Sequence, residues 1–517
     1  MDLQTLTTLA SRSLGAILLA SLAKALYSFL KTKERGPYPP GPKAKPLIGN
    51  AFDFPAKDGG QHFVKVGREI NSDLIYLSAL GTDILVLNKR EDAEELLERR
   101  ARAYSGRVQI PAMQAMGWDA INIVFMDYGD EWRAHRKACQ QLLNQDKTRS
   151  YETVYLRHVY KLLGRLLDAP EGFLHHNELF PISITLDTLY GYQVNSLDDP
   201  VVIAAQKSAE GTSLLTPSAA YMNIFPILGH IPPWIPGSIA RRKAEEYAHW
   251  TREMQRIPVE DVKHRMRDKT VVASTISDML ERKSAGEVSP KEENILYNVA
   301  YTLYGAAGET TVSSTGTFFH MIATHPDVQK KAQEEIERII GTKHLPTFED
   351  RTSLPYVEAI YREVMRYNPP GHLGVPHKTM EDDVHKGYFI PKGTAVFANI
   401  WSMTHDAERY TDPYEFKPER FLDENGLLND DARVLAYGLG RRACVGKYVA
   451  SATVWIMIAS VLACFTIGKA KDEHANEIEI NDEYEDNGGG VHKKPFKCSI
   501  VPRSELARKL IEEAAKI

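Results

Sequence analysis

One of the four cysteines in this 517-residue chain lies where a thiol could do chemistry. Cys444 belongs to the stretch AYGLGRRACVGKYVA (436–450), comes shortly after Arg441 and Arg442, and precedes an apolar run typical of a helix. Positive charge and the N–H groups of a helix start both lower the pKa of a thiol. The stretch therefore favours a thiolate, which is an electron-rich ligand for haem iron. The alternative is a core cysteine packed on a Gly/Arg turn.

The residues around Cys444 suit a flat, acidic cofactor. Gly440 and Gly446 carry no Cβ, so the backbone can turn tightly and approach such a molecule closely. The planar fork of Arg442 matches a carboxylate, such as a haem propionate. A dinucleotide-binding loop is excluded, because Gly438 and Gly440 lack the third glycine of that motif.

A second stretch, YGAAGETTVSS (304–314), reads as a helix but is unusually small and polar. Glu309 and Thr310 stand in its middle, where neither residue type is a preferred filler. A carboxylate can relay protons and a hydroxyl can orient a water, and the reduction of O₂ with cleavage of the O–O bond consumes protons. The pair therefore predicts acid–base chemistry. The alternative is a tight helix crossing built on Gly and Ala.

The cysteine stretch resembles the haem-binding signature F-x-x-G-x-R-x-C-x-G of the cytochrome P450 family. Gly440, Arg442, Cys444 and Gly446 stand at the matching spacings, and Tyr437 replaces the usual Phe. The resemblance implies haem b (iron protoporphyrin IX) as the cofactor, with Cys444 as the axial ligand of the iron. Tyr437 keeps the aromatic ring and adds a hydroxyl.

Two further motifs, on the resemblance, belong to the haem propionates. EWRAHRKA (131–138) matches W-x-x-x-R through Trp132 and Arg136, which are one helical turn apart. His377, in VPHK, matches another propionate-side position. Taken alone, Trp132 could be a packing residue and His377 a surface histidine.

A third pair of motifs implies a structural ion-pair triad. EVMR (363–366) matches E-x-x-R, and KPERF (417–421) matches P-E-R-F. Glu363 and Arg366 share a helix face at a spacing of three. In the family they join the second motif's arginine, here Arg420, to lock the region around the haem loop.

The helical stretch also resembles the P450 motif [AG]-G-x-[DE]-T-[TS], with Ala307 in place of the common Gly. The resemblance implies that Thr310 and Glu309 are catalytic and that the enzyme is an O₂-activating monooxygenase. Relatives that only rearrange peroxides, and need no reductase, often lack this acid–alcohol pair. Two rival classes are such an isomerase or dehydratase and a non-catalytic haem binder.

Electrons must come from another protein, because the chain shows no flavin or nicotinamide motif. The family implies NADPH–cytochrome P450 reductase. A basic surface near the thiolate side would suit an acidic partner, or would simply be solvated. Its predicted members are Arg133, Arg136, Lys137, Arg441 and Lys447. The net charge of −5 does not favour a nucleic-acid partner.

The N-terminus reads as a membrane anchor. Residues 13–30 are apolar except for Lys24, and the excess of basic residues after them predicts a cytosolic body, which implies the endoplasmic reticulum membrane. An amphipathic helix lying in the membrane plane is the alternative. The apolar, Pro-broken segment 224–237 is predicted to contact the membrane or to pack on the body.

The remaining chain predicts one mainly α domain with small β-sheets, the cytochrome P450 fold, at 46–517. It follows an anchor at 1–35 and a Pro/Gly hinge at 36–45. A hairpin is expected at 73–88 and strand character at 384–398, with an irregular stretch at 405–435. Helical periodicity covers 90–102, 131–145, 153–168, 240–268, 291–323, 325–341, 354–367 and 446–465.

Several segments, including YSGR (104–107) and DDVHKGYFIPKG (382–393), are similar to fungal, mushroom-type P450s of secondary metabolism. The likeness is to the O-methylsterigmatocystin oxidoreductase-like group and to tryptamine 4-monooxygenase. It implies a small lipophilic substrate, first a terpenoid or polyketide intermediate and alternatively an indole or alkaloid. Expected lining ranges are 107–126, 303–307, 370–375 and 488–492, and the residues singled out are Leu303, Ala307, His372, Leu373 and Val491.

Overall fold

The computed structural model describes residues 36–215 (apart from 47, 56 and 80), residue 223, and residues 239–486 and 490–516. The predicted anchor at 1–35 and the apolar segment at 224–237 lie outside these described residues. Within them the chain is mainly helical with small sheets, as predicted.

The α-helices predicted from hydrophobic periodicity are confirmed, with ends that differ by one or two residues except at 90–102. There the α-helix stops at Ala93, and the backbone continues as a π-helix over Glu94–Arg99. In chain order the α-helices are Gly59–Ile70 (α1), Arg90–Ala93 (α2), Pro111–Met116 (α3), Trp118–Ile121 (α4), Asp130–Leu143 (α5), Gln145–Arg149 (α6), Glu152–Asp168 (α7), Phe173–Tyr190 (α8), Pro200–Ala209 (α9), Ile239–Arg267 (α10), Thr275–Ser284 (α11), Pro290–Thr324 (α12), Pro326–Ile339 (α13), Pro355–Tyr367 (α14), Ile400–Thr404 (α15), Lys447–Cys464 (α16) and Glu505–Ala514 (α17).

Helix α8 was not predicted from hydrophobic periodicity. It is buried around most of its circumference and contains Pro181, so it has no polar face and carries a residue that normally ends helices. It packs on α12, the longest helix of the described chain.

The predicted hairpin is confirmed as β1 and β2, which join a five-stranded sheet of order β1-β2-β7-β4-β3. β1 and β2 pair antiparallel around Gly81, whose φ of +87° suits a tight turn. β2 and β7 pair parallel. The strands are Leu74–Ala79 (β1), Thr82–Leu87 (β2), Gly106–Arg107 (β3), His377–Lys378 (β4), Asp383–His385 (β5), Tyr388–Ile390 (β6), Ala395–Ala398 (β7), Phe465–Lys469 (β8), Tyr484–Asp486 (β9), Val491–Lys493 (β10) and Cys498–Pro502 (β11).

Helix α16 forms the centre of the largest hydrophobic core, where it packs against α7, α12, α13 and α14. Among the described residues it is the one helix long and apolar enough to cross a membrane, yet most of it is buried in the protein. Its apolar sequence is therefore explained by its place in the core.

The segment predicted as a hinge lies on the five-stranded sheet and on the β5–β6 hairpin. The carbonyl oxygens of Pro37 and Pro40 accept hydrogen bonds from the N–H groups of Phe389 (2.7 Å) and Tyr76 (2.8 Å). The ring of Tyr38 stacks on that of Tyr76 at 5.0 Å. These contacts fasten the chain to the body from about residue 37.

Glu363 is fully buried and holds two arginines. Its carboxylate accepts two hydrogen bonds from Arg366 (2.6 and 2.8 Å), one from Arg420 (3.1 Å) and one from the backbone N–H of Lys417 (2.7 Å). The guanidinium groups then donate to backbone carbonyls of the irregular region, which they hold in place. Those carbonyls belong to Thr404, Thr411, Asp412, Pro413 and Glu415.

We expect Glu363→Gln to destabilise the protein strongly, because it leaves two guanidinium groups inside the protein without a counter-charge. Breaking a buried pair in this way costs about 3–5 kcal/mol. Glu334→Gln is the control, since its pair with Lys330 is exposed and 3.9 Å long and its loss should change stability by less than about 0.5 kcal/mol. Equal thermal unfolding midpoints for the two variants would contradict the triad's structural role.

Candidate active site

The loop that carries Cys444 contains two short 3-10 turns, Leu435–Tyr437 and Gly440–Arg442. The backbone N–H of Cys444 donates to the carbonyl oxygen of Tyr437 over 2.7 Å and closes the loop. Helix α16 begins three residues later, at Lys447. Cys444 thus stands directly before the N-terminal end of a long buried helix.

Gly440 is the point at which this loop touches the N-terminal half of the chain. Its φ is +65°, and a Cβ there would lie 1.9 Å from the carbonyl oxygen of Leu97. Its N–H donates to the carboxylate of Glu98 over 3.2 Å, and both neighbours belong to the π-helix Glu94–Arg99. The neighbouring backbone therefore requires glycine here. At Gly446 a Cβ would meet only ordinary contacts at 3.9 Å.

Tyr437, which departs from the family motif, has a partner for its additional hydroxyl. That hydroxyl lies 2.9 Å from the hydroxyl of Tyr361 on α14. Burial raises the pKa of Tyr437 well above its usual value. The departure therefore adds a neutral hydrogen bond between the cysteine loop and α14.

The Cys444 side chain is accessible to solvent although protein surrounds it closely, so it opens into an internal cleft. Burial raises the pKa of its thiol, and the N–H of Gly446 and the charges of Arg136 and Lys447 offset only part of that rise. The helix start and the basic neighbours lower this pKa, as predicted, but they do not set its net direction in the protein alone. Desolvation outweighs both effects.

Arg442 is half-buried and lies with its guanidinium 4.5 Å from the centre of the Trp132 ring. It donates to the carbonyl oxygens of Ser105 (2.9 Å) and Ile123 (3.3 Å), but its Nη2 is buried without a hydrogen-bond partner. Burial lowers the pKa of Arg442 to about 10. An unsatisfied buried donor of this kind calls for an acceptor.

Two more arginines lie beside it. Arg136 donates to the carbonyl oxygen of Ala443 over 2.7 Å, and burial lowers its pKa. Arg107 is buried and donates to the carbonyls of Val124 (2.8 Å), Val375 (2.6 Å) and Pro376 (2.7 Å). Burial, followed by the charge of Arg442, holds the pKa of Arg107 well below its usual value.

His377 stands next to these arginines on β4. Its Nδ1 lies 2.8 Å from the carbonyl oxygen of Tyr104, so this nitrogen carries the proton and donates. Burial, with the charges of Arg107 and Arg442, lowers the pKa of His377 to about 3. The imidazole is therefore neutral in the protein alone, and its Nε2 can only accept a hydrogen bond.

We name Arg107, Arg136 and Arg442 the arginine cluster. Within the described ranges none of the three forms an ion pair with a carboxylate. The nearby Asp127 carboxylate accepts from Lys378 and from backbone N–H groups instead. Cations withdrawn from water without counter-ions are costly unless an anion joins them. The cluster, beside the accessible thiol, fits a flat molecule that bears carboxylates, as haem does.

The middle of α12 carries an exposed stretch of small residues. Thr311–Ala323 is almost wholly buried, whereas the small residues Gly305, Ala306 and Thr310 are exposed. The Thr310 hydroxyl donates to the carbonyl oxygen of Ala306 over 2.8 Å. The Glu309 carboxylate lies 3.0 Å from Nε2 of His492.

Shared contacts bring α12 and the cysteine loop together. Ile123 accepts a hydrogen bond from Arg442 through its carbonyl and donates to the Thr302 hydroxyl of α12 through its N–H. Leu303 and Val445 pack against one hydrophobic cluster, the one that contains Trp132. The stretches around Trp132 and Cys444 and the part of α12 that precedes Glu309 are therefore neighbours in the fold.

The predicted lining residues differ in their access to the cleft. Ala307 and Leu303 are half-buried on α12. His372 is buried, with Nε2 3.1 Å from the Asn368 side-chain oxygen, and burial lowers its pKa to about 4. Leu373 packs close to Gly59 of α1. Val491 is buried.

Three residues that suit the site were not singled out from the sequence. Arg107 belongs to YSGR and begins the expected lining range 107–126, but nothing in either marks it as buried. Val375, 38% exposed, looks like an ordinary strand residue. His492 lies in the expected lining range 488–492, but its contact with Glu309 joins positions 183 residues apart and could not be read from either motif.

The cytochrome P450 family model matches residues 39–499. Similar proteins include cytochrome P450 monooxygenase 98 of Postia placenta, 35% identical over 505 residues and 96% of each chain. Cytochrome P450 monooxygenase COX2 of Coprinopsis cinerea is 36% identical over 528 residues, covering 100% of this chain and 98% of its own. Cytochrome P450 monooxygenase ple1 of Rhodocybe pseudopiperita is 36% identical over 501 residues, 95% and 94% of the two chains. With the family model matching most of the chain and these relatives covering it almost end to end, this chain belongs to the cytochrome P450 family and is a cytochrome P450 monooxygenase, an oxidoreductase.

Proposed function

We propose that the protein is a haem-thiolate monooxygenase that oxidises a lipophilic small molecule in secondary metabolism, with O₂ and with electrons from NADPH supplied by NADPH–cytochrome P450 reductase. The observation that carries this is the accessible Cys444 thiol beside three arginines that have no carboxylate partner in the described part of the chain. When bound, haem supplies the activation of O₂ that side chains cannot perform.

In this proposal the cysteine loop and the arginine cluster would hold haem b. Cys444 would bind the iron through its sulfur, and the iron's positive charge would favour the thiolate that burial disfavours. Arg442, Arg136 and Arg107 would receive the propionate carboxylates. Trp132 and His377 lie on the same side, and an anion there would favour a protonated His377.

Glu309 and Thr310 are proposed to move protons. Thr310 stands on the exposed face of α12, where its hydroxyl can hold a water, and Glu309 is next to it at 42% side-chain exposure. A carboxylate that reaches both water and the cleft can exchange protons between them. This is the function that separates a monooxygenase from a reductase-independent haem enzyme.

The substrate is proposed to be a terpenoid or polyketide intermediate, and alternatively an indole or alkaloid. The support is the small, weakly polar lining offered by Gly305, Ala306 and Val375. The N-terminal segment 1–35 is proposed to anchor the protein to the endoplasmic reticulum, with 36–45 leading to a cytosolic catalytic domain at 46–517. Arg133, Lys137, Arg441 and Lys447 are exposed and could receive the reductase, whereas Arg136 is turned inward.

The function is tested on full-length protein, beside Cys444→Ser. We expect the reduced, CO-bound protein to show the red-shifted Soret band of thiolate ligation, because Cys444 is the accessible thiol of the loop, and the variant to lose it. With NADPH, reductase and ¹⁸O₂, a panel of sesquiterpenes, aromatic polyketides and indolamines should yield a product that carries one labelled atom. Product formation without NADPH would instead support an isomerase or dehydratase.

Gly440→Ala should displace the cysteine loop, whereas Gly438→Ala should be tolerated better. Both positions have positive φ, but only at Gly440 does a Cβ collide with backbone, at Leu97. Strain at positive φ costs about 1–3 kcal/mol in either variant, and overpacking adds about 1–3 kcal/mol at Gly440 alone. The fraction of protein with the thiolate-type CO spectrum measures this. Equal fractions would show that the contact with Leu97 is not required.

Arg442→Met and Arg107→Met should each speed the transfer of haem to apomyoglobin by about 10- to 100-fold, the loss expected when a charged hydrogen bond of about 1.5–3 kcal/mol is removed. Arg133→Met is the matched control, because Arg133 also lies near Trp132 but is exposed and pairs with Asp130. Transfer as slow as in the control would contradict the role given to the cluster.

A further inference from the structure

The contact between Glu309 and His492 joins the middle of α12 to strand β10. Nε2 of His492 lies 3.0 Å from Oε2 of Glu309, and the side chains are 22% and 42% exposed. The two atoms are within ion-pair distance when the imidazole is protonated, and a small rotation of either side chain would bring Nε2–H into a hydrogen bond with Oε2. A pair with this exposure reaches solvent, and Thr310 follows Glu309 directly on α12.

The position of His492 is fixed by its neighbour Val491. The Val491 carbonyl accepts hydrogen bonds from the Ser313 hydroxyl (2.5 Å) and the Asn368 amide (3.2 Å), and its N–H donates to the Pro370 carbonyl (2.9 Å). Ser313 is four residues after Glu309, on the same face of α12. The strand is therefore held where its next side chain meets the carboxylate.

The other charged groups near His492 are engaged elsewhere. Glu485 is opposite it on β9, and its carboxylate lies 3.7 Å from Lys57. Lys493 donates to Asn481 and to backbone carbonyls of residues 483 and 494. A Cβ on Gly490 would lie 3.1 Å from Nε2 of His492, so glycine leaves that nitrogen room to approach Glu309.

We propose that His492 is the proton-exchange partner of Glu309, a positioning residue that holds the carboxylate beside Thr310 and resupplies its protons from solvent. Histidine suits this task because it gains and loses a proton near neutral pH. This inference rests on the proposed function, since Glu309 needs protons only if the enzyme reduces O₂.

The exchange is a balanced proton transfer. Protonated His492 gives the proton on Nε2 to Oε2 of Glu309, and the neutral imidazole takes another proton from solvent. Glu309 passes its proton to the water held at Thr310 and returns to the carboxylate. No electrons move in these steps, and His492 itself does not touch the reacting atoms.

The first test follows oxygen reduction in full-length protein with reductase and NADPH, without added organic substrate. A defect in proton supply diverts electrons from water to hydrogen peroxide. Direct general acid–base groups contribute roughly 10²–10⁴-fold, so a residue that acts through another should cost less, about 5- to 20-fold in the water-forming route. We expect this loss in His492→Gln and partial recovery in His492→Lys, which keeps a positive charge and an exchangeable proton.

The matched control is Lys494→Gln, from the same segment, whose 2.6 Å pair with Glu483 is exposed. The proposal would be overturned if His492→Gln gave the same ratio of water to hydrogen peroxide as this control while Glu309→Gln gave more peroxide. A thiolate-type CO spectrum in each variant shows that it has folded.

The second test measures the pair without turnover, from the rate at which diethyl pyrocarbonate labels His492, followed by peptide mass spectrometry. The reagent needs a free, neutral imidazole, so Glu309→Gln should raise this rate several-fold. His474, exposed on the turn 472–476, serves as the internal reference. An unchanged rate would show that the pair does not form. If wild-type protein consumed no NADPH with reductase, the proposed function would fail, while the labelling would still decide whether the pair exists.

Discussion

The structure depends on positive charge enclosed without a counter-charge. The guanidinium groups of Arg136 and Arg442 lie near Trp132, and that of Arg107 is close enough to Arg442 for their charges to interact. The nearby Asp127 carboxylate is taken by a lysine and by backbone N–H groups. Backbone carbonyls solvate the cluster in part, but a carbonyl dipole does not neutralise a cation. The wall of the cleft therefore carries positive charge that no carboxylate compensates, and a bound dianion would neutralise it.

Other contacts fix the position of the cysteine loop relative to the arginine cluster. Glu363 binds its two arginines and offsets one of their two charges, and the arginines hold a long irregular stretch in place through its backbone carbonyls. The Tyr361–Tyr437 hydrogen bond ties that loop to the same helix. Helix α14 thus supports the cysteine loop through both Tyr361 and Glu363.

The sequence alone predicted the elements with a clear period and the motifs with fixed spacing. Helices such as α5 and α14, and the β1–β2 hairpin, have polar and apolar faces that set their type. Helix α8 does not, because it is buried on nearly all sides. Spacing also placed Cys444 before a helix, but it could not show that burial would raise the pKa of the thiol. Arg107 and His492 were missed because their significance lies in partners distant in the chain.

The contact between Gly440 and the π-helix has a consequence for how the protein is made. Residues 97 and 98 touch residue 440, and Arg107 and Arg136 touch residues 375 and 443, so the site joins chain segments about 270 to 340 residues apart. Such non-local contacts form late, because the intervening chain must first be closed into a loop. On the ribosome, which adds about 5–20 residues per second, the arginines are synthesised long before the cysteine loop. The cofactor site is therefore assembled only after most of the chain has emerged, and until then the basic half is exposed without the groups that complete it.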